Sequence, residues 1–109
     1  PAPFMALKNV IDLGVTNVAA CVKVDDAAPG IDEGHNAGMW TVGLVLSGNE
    51  AGLTYQEYLD ADEATLAAAR EKASVKLNKS NPHYLIDTIA DLPRVIADIE
   101  NRLLEGERP

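Results

Sequence analysis

Val18-Ala19-Ala20-Cys21-Val22-Lys23-Val24-Asp25-Asp26-Ala27-Ala28-Pro29-Gly30-Ile31-Asp32-Glu33-Gly34-His35-Asn36-Ala37-Gly38-Met39-Trp40-Thr41-Val42-Gly43 is the stretch that decides the fold. An apolar run, 18–24, stops at two adjacent carboxylates, and Pro29-Gly30 opens a loop behind them. A short glycine-bounded helix over 31–38 and a second apolar run, 41–46, follow. Strands that read as near-continuous apolar runs belong to parallel sheets covered on both faces. The whole is a βαβ unit with its charge at the carboxyl end of the first strand, where open α/β sheets bind ligands. Two carboxylates there, Asp25 and Asp26, suit a hard divalent cation such as Mg²⁺, which takes oxygen ligands and keeps several waters.

Outward from that unit the chain continues to alternate. Pro1 and Pro3 lead into Phe4, Leu7, Val10 and Ile11, one face of a helix over 3–13 that Gly14 ends. Lys23 interrupts the first strand, with its stem buried and its ammonium at the strand's end. A polar loop at 47–53 leads to Thr54-Tyr55-Gln56-Glu57, a capping box that starts a helix over 55–79. Leu66, Ala69, Ala73 and Leu77 line one face of it. A third strand covers 83–86, and Asp91 caps a last helix over 92–104 with Leu92, Val95, Ile96, Ile99 and Leu103 as its core stripe. The expected fold is α/β: a three-layer, Rossmann-like arrangement around a parallel sheet of about three strands with right-handed crossovers.

Composition narrows the partners. A chain of 109 residues, 47% apolar and 24% charged, is one domain or a piece of one. Its net charge of −8 argues against nucleic acid or an anionic membrane, which both need a basic surface. The single cysteine, Cys21, reads as a buried mid-strand thiol, and a reducing cytoplasm is the expected compartment. No apolar stretch approaches the roughly 20 residues needed to span a bilayer, and there is no basic, apolar-cored leader. A first residue of Pro1 reads as a trimmed or partial product. His35 and His83, far apart in sequence, read as surface or satisfied histidines rather than a zinc site. Ser47 reads as a loop serine, and Trp40, Tyr55, Tyr58 and Tyr84 as core or interface.

The central stretch resembles the fourth motif of the haloacid dehalogenase-like superfamily. Lys23-Val24-Asp25-Asp26, Pro29-Gly30-Ile31, Glu33-Gly34 and Asn36-Ala37-Gly38-Met39-Trp40-Thr41-Val42-Gly43 are similar to the phosphonoacetaldehyde hydrolase (phosphonatase) family within it. So are Ser47-Gly48-Asn49-Glu50 and Gly52-Leu53-Thr54, while Pro1-Ala2-Pro3-Phe4-Met5 resembles the segment just after that family's core arginine. The resemblance runs over essentially all 109 residues and corresponds to the carboxyl-terminal part of the family's core domain, without its cap domain.

That resemblance implies hydrolysis of the carbon–phosphorus bond of phosphonoacetaldehyde to acetaldehyde and phosphate, with Mg²⁺ as cofactor. In the family a cap-domain lysine forms an imine with the aldehyde, an aspartate on another strand accepts the phosphoryl group, and Mg²⁺ balances charge. Asp26 matches the metal-binding aspartate of the fourth motif, and Asp25 stands where a supporting or structural carboxylate is expected. Gly30 replaces an aspartate common in relatives and Ala27 a threonine, departures for which Asp32 or Glu33 could compensate. The nucleophile, the imine lysine and the core arginine have no counterpart here, and none of Lys8, Lys23, Lys72, Lys76 or Lys79 aligns with the imine lysine. The chain alone is therefore expected to be inactive, with a small phosphonate as substrate only in a complete enzyme. Its expected partner is another copy or the missing amino-terminal half. Two other classes remain open: a non-catalytic α/β interaction module, and a receiver-like signalling domain, suggested by the acidic pair but without a later phosphoacceptor, Thr/Ser and Lys.

Overall fold

The computed structural model describes all 109 residues. Helix α1 (Phe4–Asp12) is followed by strand β1 (Val22–Asp25), helix α2 (Ala28–Ala37) and strand β2 (Trp40–Leu44). Helices α3 (Tyr55–Asp60) and α4 (Glu63–Asn78), strand β3 (Tyr84–Ile86) and helix α5 (Leu92–Leu104) complete the chain. The sheet is parallel throughout, in the order β1-β2-β3, so β1 and β3 are its edges. No helix is long and apolar enough to cross a membrane.

Successive strand residues face opposite ways, and the two faces are covered by different helices. Val22, Val24, Trp40, Val42, Leu44, Tyr84 and Ile86 pack with Val95, Ile99 and Leu103 of α5. On the other face Ile31 of α2, Ala73 and Leu77 of α4, and Leu85 form a second cluster with Val45. Close approach on this face depends on missing side chains. A Cβ on Gly34 would lie 2.7 Å from Thr41 Cγ2, and one on Gly43 2.8 Å from Leu85 Cδ2. The result is the expected three-layer α/β architecture, with α1 outside α2 through Ala6, Val10, Ala37 and Met39.

Several boundaries differ from the sequence reading. The 18–24 run is not one strand: Val18–Ala20 is a 3₁₀ turn capped by the Asn17 side chain, which accepts from the Ala19 amide, and pairing begins at Val22. Trp40 fixes that turn by donating its indole N–H to the Ala19 carbonyl at 2.9 Å. Cys21 thus precedes the strand and is half-buried. Pro29 and Gly30 form the first turn of α2 rather than a loop, where a proline costs no hydrogen bond. The 41–46 strand begins at Trp40 and ends at Leu44, although the amides of Val45 and Leu46 still donate to the Ile86 and Asp87 carbonyls. The helix expected over 55–79 is broken at Ala61-Asp62, because the Asp62 carboxylate accepts from the Thr65 amide and starts α4 afresh. Thr54 and Glu57 form the expected capping box. Asp91 caps nothing; Thr88 caps a 3₁₀ turn that runs into α5.

The two histidines, 48 positions apart in sequence, lie together at the amino end of the sheet with ring centroids 5.2 Å apart. The Thr41 amide donates to His83 Nδ1 at 2.9 Å, and His35 Nε2 donates to the Asn81 carbonyl at 2.9 Å. Buried Thr41 joins them, its Oγ1 3.0 Å from His83 Nδ1 and 3.3 Å from His35 Nε2. An N–H can only donate, so His83 accepts at Nδ1 and is neutral. Burial, the neighbouring His35 and the Arg102 guanidinium all hold its pKa below 6.5. The unfolded chain takes up this proton near 6.5 and the folded chain only at lower pH. The stabilising contribution is therefore complete above 6.5 and is lost as pH falls from there toward the folded value. Thermal midpoints should fall between pH 8 and pH 5.5, and His83→Asn, which keeps an acceptor near Nδ1 but does not titrate, should flatten that slope. An unchanged slope in the variant would assign the effect elsewhere.

Candidate functional site

At the opposite end of the sheet, β1 ends in the acidic pair. Asp25 is its last residue and is fully engaged. Its Oδ2 accepts from Lys23 Nζ at 2.6 Å and its Oδ1 from the Ala27 amide at 3.0 Å. Gly30 lies beneath it, and a Cβ there would overlap the Asp25 carboxyl. Burial pushes the Asp25 pKa up, but the Lys23 and Ala27 hydrogen bonds outweigh it and hold the carboxyl below its ordinary value. Lys23 has the buried stem and strand-end ammonium expected of it, and it also approaches Glu33 Oε1 at 3.6 Å. Asp25 is thus a structural carboxylate that closes the turn between β1 and α2.

Asp26 is placed differently. It lies in that turn, half-exposed, with Oδ2 accepting from the Asn49 amide at 3.0 Å and Oδ1 without a hydrogen-bond partner in the chain. Asp25 and Asp26 therefore divide the work: one fixes the backbone, the other presents an open carboxylate oxygen at the carboxyl end of the sheet. Glu33 does not join them; it accepts from the Ala6 amide at 3.3 Å and faces Lys23. Asp32 makes no hydrogen bond or ion pair. No three carboxylate, histidine or cysteine side chains converge anywhere in the chain. What Asp26 offers a hard cation is one oxygen ligand of the right kind. Mg²⁺ is commonly held by one or two carboxylates with waters, so the donor fits in kind, and the remaining ligands must come from elsewhere.

Two partners in this region are absent from the sequence reading. One is the Ser47–Asn49 loop at the end of β2, which reaches Asp26 through the Asn49 amide. The loop's signals in sequence are its polar, glycine-containing composition and the family likeness of Ser47-Gly48-Asn49-Glu50, and neither names Asp26 as its contact. The other is Asp87, just after β3, gripped by Arg70 through Nε at 2.9 Å and Nη2 at 3.0 Å. Its carbonyl accepts from the Leu46 and Ser47 amides, which ties the ends of β2 and β3 together. Ser47 itself is exposed and remote from both histidines, which sit at the start of β2. Trp40 is fully buried, whereas Tyr55, expected in core or interface, is 73% exposed.

Comparison with known proteins assigns the chain a kinship. No protein-family model matches it. It is 81% identical over all 109 residues to a phosphonoacetaldehyde hydrolase from Aliivibrio salmonicida, of which it covers 40%. The same identity and coverage hold for one from Vibrio campbellii. A crystal structure of a phosphonoacetaldehyde hydrolase-like protein from Oleispira antarctica superposes on the whole chain with a TM-score of 0.96 at 46% identity, again over 40% of that protein. The chain therefore spans about two fifths of the length of the curated relatives it matches, and matches them along its entire length.

Proposed function

We propose that these 109 residues supply the metal-binding portion of a phosphonoacetaldehyde hydrolase, whose whole activity is Mg²⁺-dependent cleavage of a carbon–phosphorus bond. The observation that carries this reading is the open Oδ1 of Asp26 at the carboxyl end of β1. It occurs in a chain 81% identical to phosphonoacetaldehyde hydrolases. The same identity favours this reading over a receiver domain or a non-catalytic module.

Within that reading each residue has a physical task. Asp25, paired with Lys23 and bonded to the Ala27 amide, fixes the turn, each of its oxygens already accepting a hydrogen bond. Asp26 contributes one carboxylate oxygen toward the cation. Bound Mg²⁺ would supply positive charge against the oxygens of the phosphonate substrate as charge develops there. The nucleophile that receives the phosphoryl group and the amine that activates the aldehyde are assigned to the part of the enzyme these residues do not include. The working compartment under this reading is the cytoplasm.

A single carboxylate is a small share of an octahedral shell, so the chain alone should bind Mg²⁺ with a Kd on the order of millimolar or weaker. Titration with Mg²⁺ while backbone amide shifts are followed should move resonances around 25–27 and 47–49. Asp26→Ala should abolish those shifts and Asp32→Ala should not. Micromolar binding, or shifts that survive Asp26→Ala, would remove Asp26 from the metal site.

A further inference from the structure

Asp26 follows directly on β1, yet what holds its side chain comes from the loop after β2. We infer that Gly48 and the Asn49 amide are positioning groups for Asp26: they lock its carboxylate through Oδ2 so that Oδ1 alone is presented to a divalent cation. The inference rests on the metal-binding reading of Asp26 and assigns the loop a part in it.

Three observations carry it. The Asn49 amide donates to Oδ2 at 3.0 Å, a hydrogen bond to an ionised acceptor, which is about twice as strong as a neutral one. Gly48 lies against the same side chain. A Cβ there would stand 2.5 Å from Asp26 Cβ and 3.0 Å from the Leu44 carbonyl oxygen. The backbone at Gly48, with φ −102° and ψ 170°, is one any residue adopts, so the requirement for glycine is space and not conformation. The loop is also anchored from behind. Glu50 pairs with Lys76 of α4 at 3.0 Å, Ala51 is buried with Leu46 and Ala69, and the Ser47 amide is tied to Asp87.

The physical need is clear from the position of Asp26. A half-exposed aspartate at a strand end has several staggered rotamers open to it. A cation site with one protein carboxylate per element tolerates little wandering of that carboxylate. Groups that orient a ligand typically cost ten- to a hundredfold in metal affinity when lost.

Asn49→Pro removes the donor and puts ring carbon in its place. The exchange suits the backbone, because Asn49 is the first residue of a 3₁₀ turn and Gly48 before it is extended. Asn49→Ala removes only the side chain and keeps the amide. With Mn²⁺ as the probe, counted by electron paramagnetic resonance of the free ion, Asn49→Pro and Gly48→Ala of the 109-residue chain should bind at least tenfold more weakly. Asn49→Ala should bind like the parent, and Asn49→Pro should keep the parent's fold, read as an unchanged far-ultraviolet circular dichroism spectrum. Parent-like affinity in Asn49→Pro would overturn the positioning role while leaving Asp26 as the ligand. Unchanged affinity in Asp26→Ala would overturn the metal reading and this inference with it. A readout independent of variants is the Asn49 amide resonance of the parent chain, which should move on saturation with Mg²⁺ because its acceptor shares charge with the cation. An unmoved resonance would overturn the inference.

Discussion

Assayed by itself, the 109-residue chain is expected to release no acetaldehyde from phosphonoacetaldehyde above a heat-killed control. Under the proposed reading, cleaving a carbon–phosphorus bond would need a carboxylate that attacks and an amine that activates the carbonyl. The carboxylates near the strand ends are already committed. Asp25 is spent on Lys23 and Ala27, Asp87 on the Arg70 guanidinium, and Asp26 alone keeps a free oxygen. Among the lysines, Lys8 is engaged by Asp12, Lys23 by Asp25 and Lys76 by Glu50. Lys72, on α4 beside Gly52, and Lys79, just after α4, are exposed and take part in no ion pair. Coupling acetaldehyde to alcohol dehydrogenase and NADH gives a sensitive assay. Supplying in trans the portion of the Vibrio campbellii hydrolase that this chain does not match should restore a rate, and Asp26→Ala should abolish it. A rate from the chain alone that disappears in Asp26→Ala would mean its own residues suffice.

The elements of this fold were legible where side chain and backbone preference agree. The capping box at Thr54, the alanine face of α4 and the stripe on α5 are local signals, and each is found where the spacing puts it. Hydrophobicity reports burial and not backbone shape, which is why Val18–Ala20 reads as strand. Its 3₁₀ turn is set by the Asn17 side chain and by an indole that arrives from β2. On α1 the expected face is only partly right. Val10 is buried, but Phe4 and Ile11 are each 75% exposed, and Ala6, which carries little hydrophobic signal, takes the inner position. At the site, the acidic pair is visible in sequence because adjacent carboxylates after an apolar run are rare. The division of labour between them is not, because it depends on Lys23 reaching forward two residues and on Asn49 arriving from the loop after β2. The histidine pair was missed for the same reason: a contact across 48 positions leaves no local trace.

The second large effect concerns assembly: at micromolar concentration the isolated chain is expected to be dimeric or larger, with β1 covered. The order β1-β2-β3 makes β1 an edge strand. A parallel edge offers unpaired amides and carbonyls to any matching strand. The strand's two charged residues, Lys23 and Asp25, pair with each other, and Lys23 also approaches Glu33, so neither presents a free charge to a second copy. Beside β1 a cavity of about 290 Å³ is lined by Ala6, Val10, Leu13, Val15, Val22 and Met39 among others. Next to it α1 leaves Met5 and Leu13 more than three-quarters exposed, along with Phe4 and Ile11. Large apolar side chains left exposed beside an unpaired strand edge are the kind that proteins bury against a partner. The net charge of −8 opposes self-association over the whole surface, but it is screened at physiological salt within about 8 Å. Light scattering across a dilution series, with hydrogen exchange on Val22–Asp25, tests the expectation. Protection of those amides should fall as the assembly dissociates. Phe4→Lys with Ile11→Lys, placed on exposed positions of α1, should shift the equilibrium toward monomer without unfolding the sheet. A monodisperse chain whose Val22–Asp25 amides exchange slowly at every concentration would show that the edge is protected within the monomer itself.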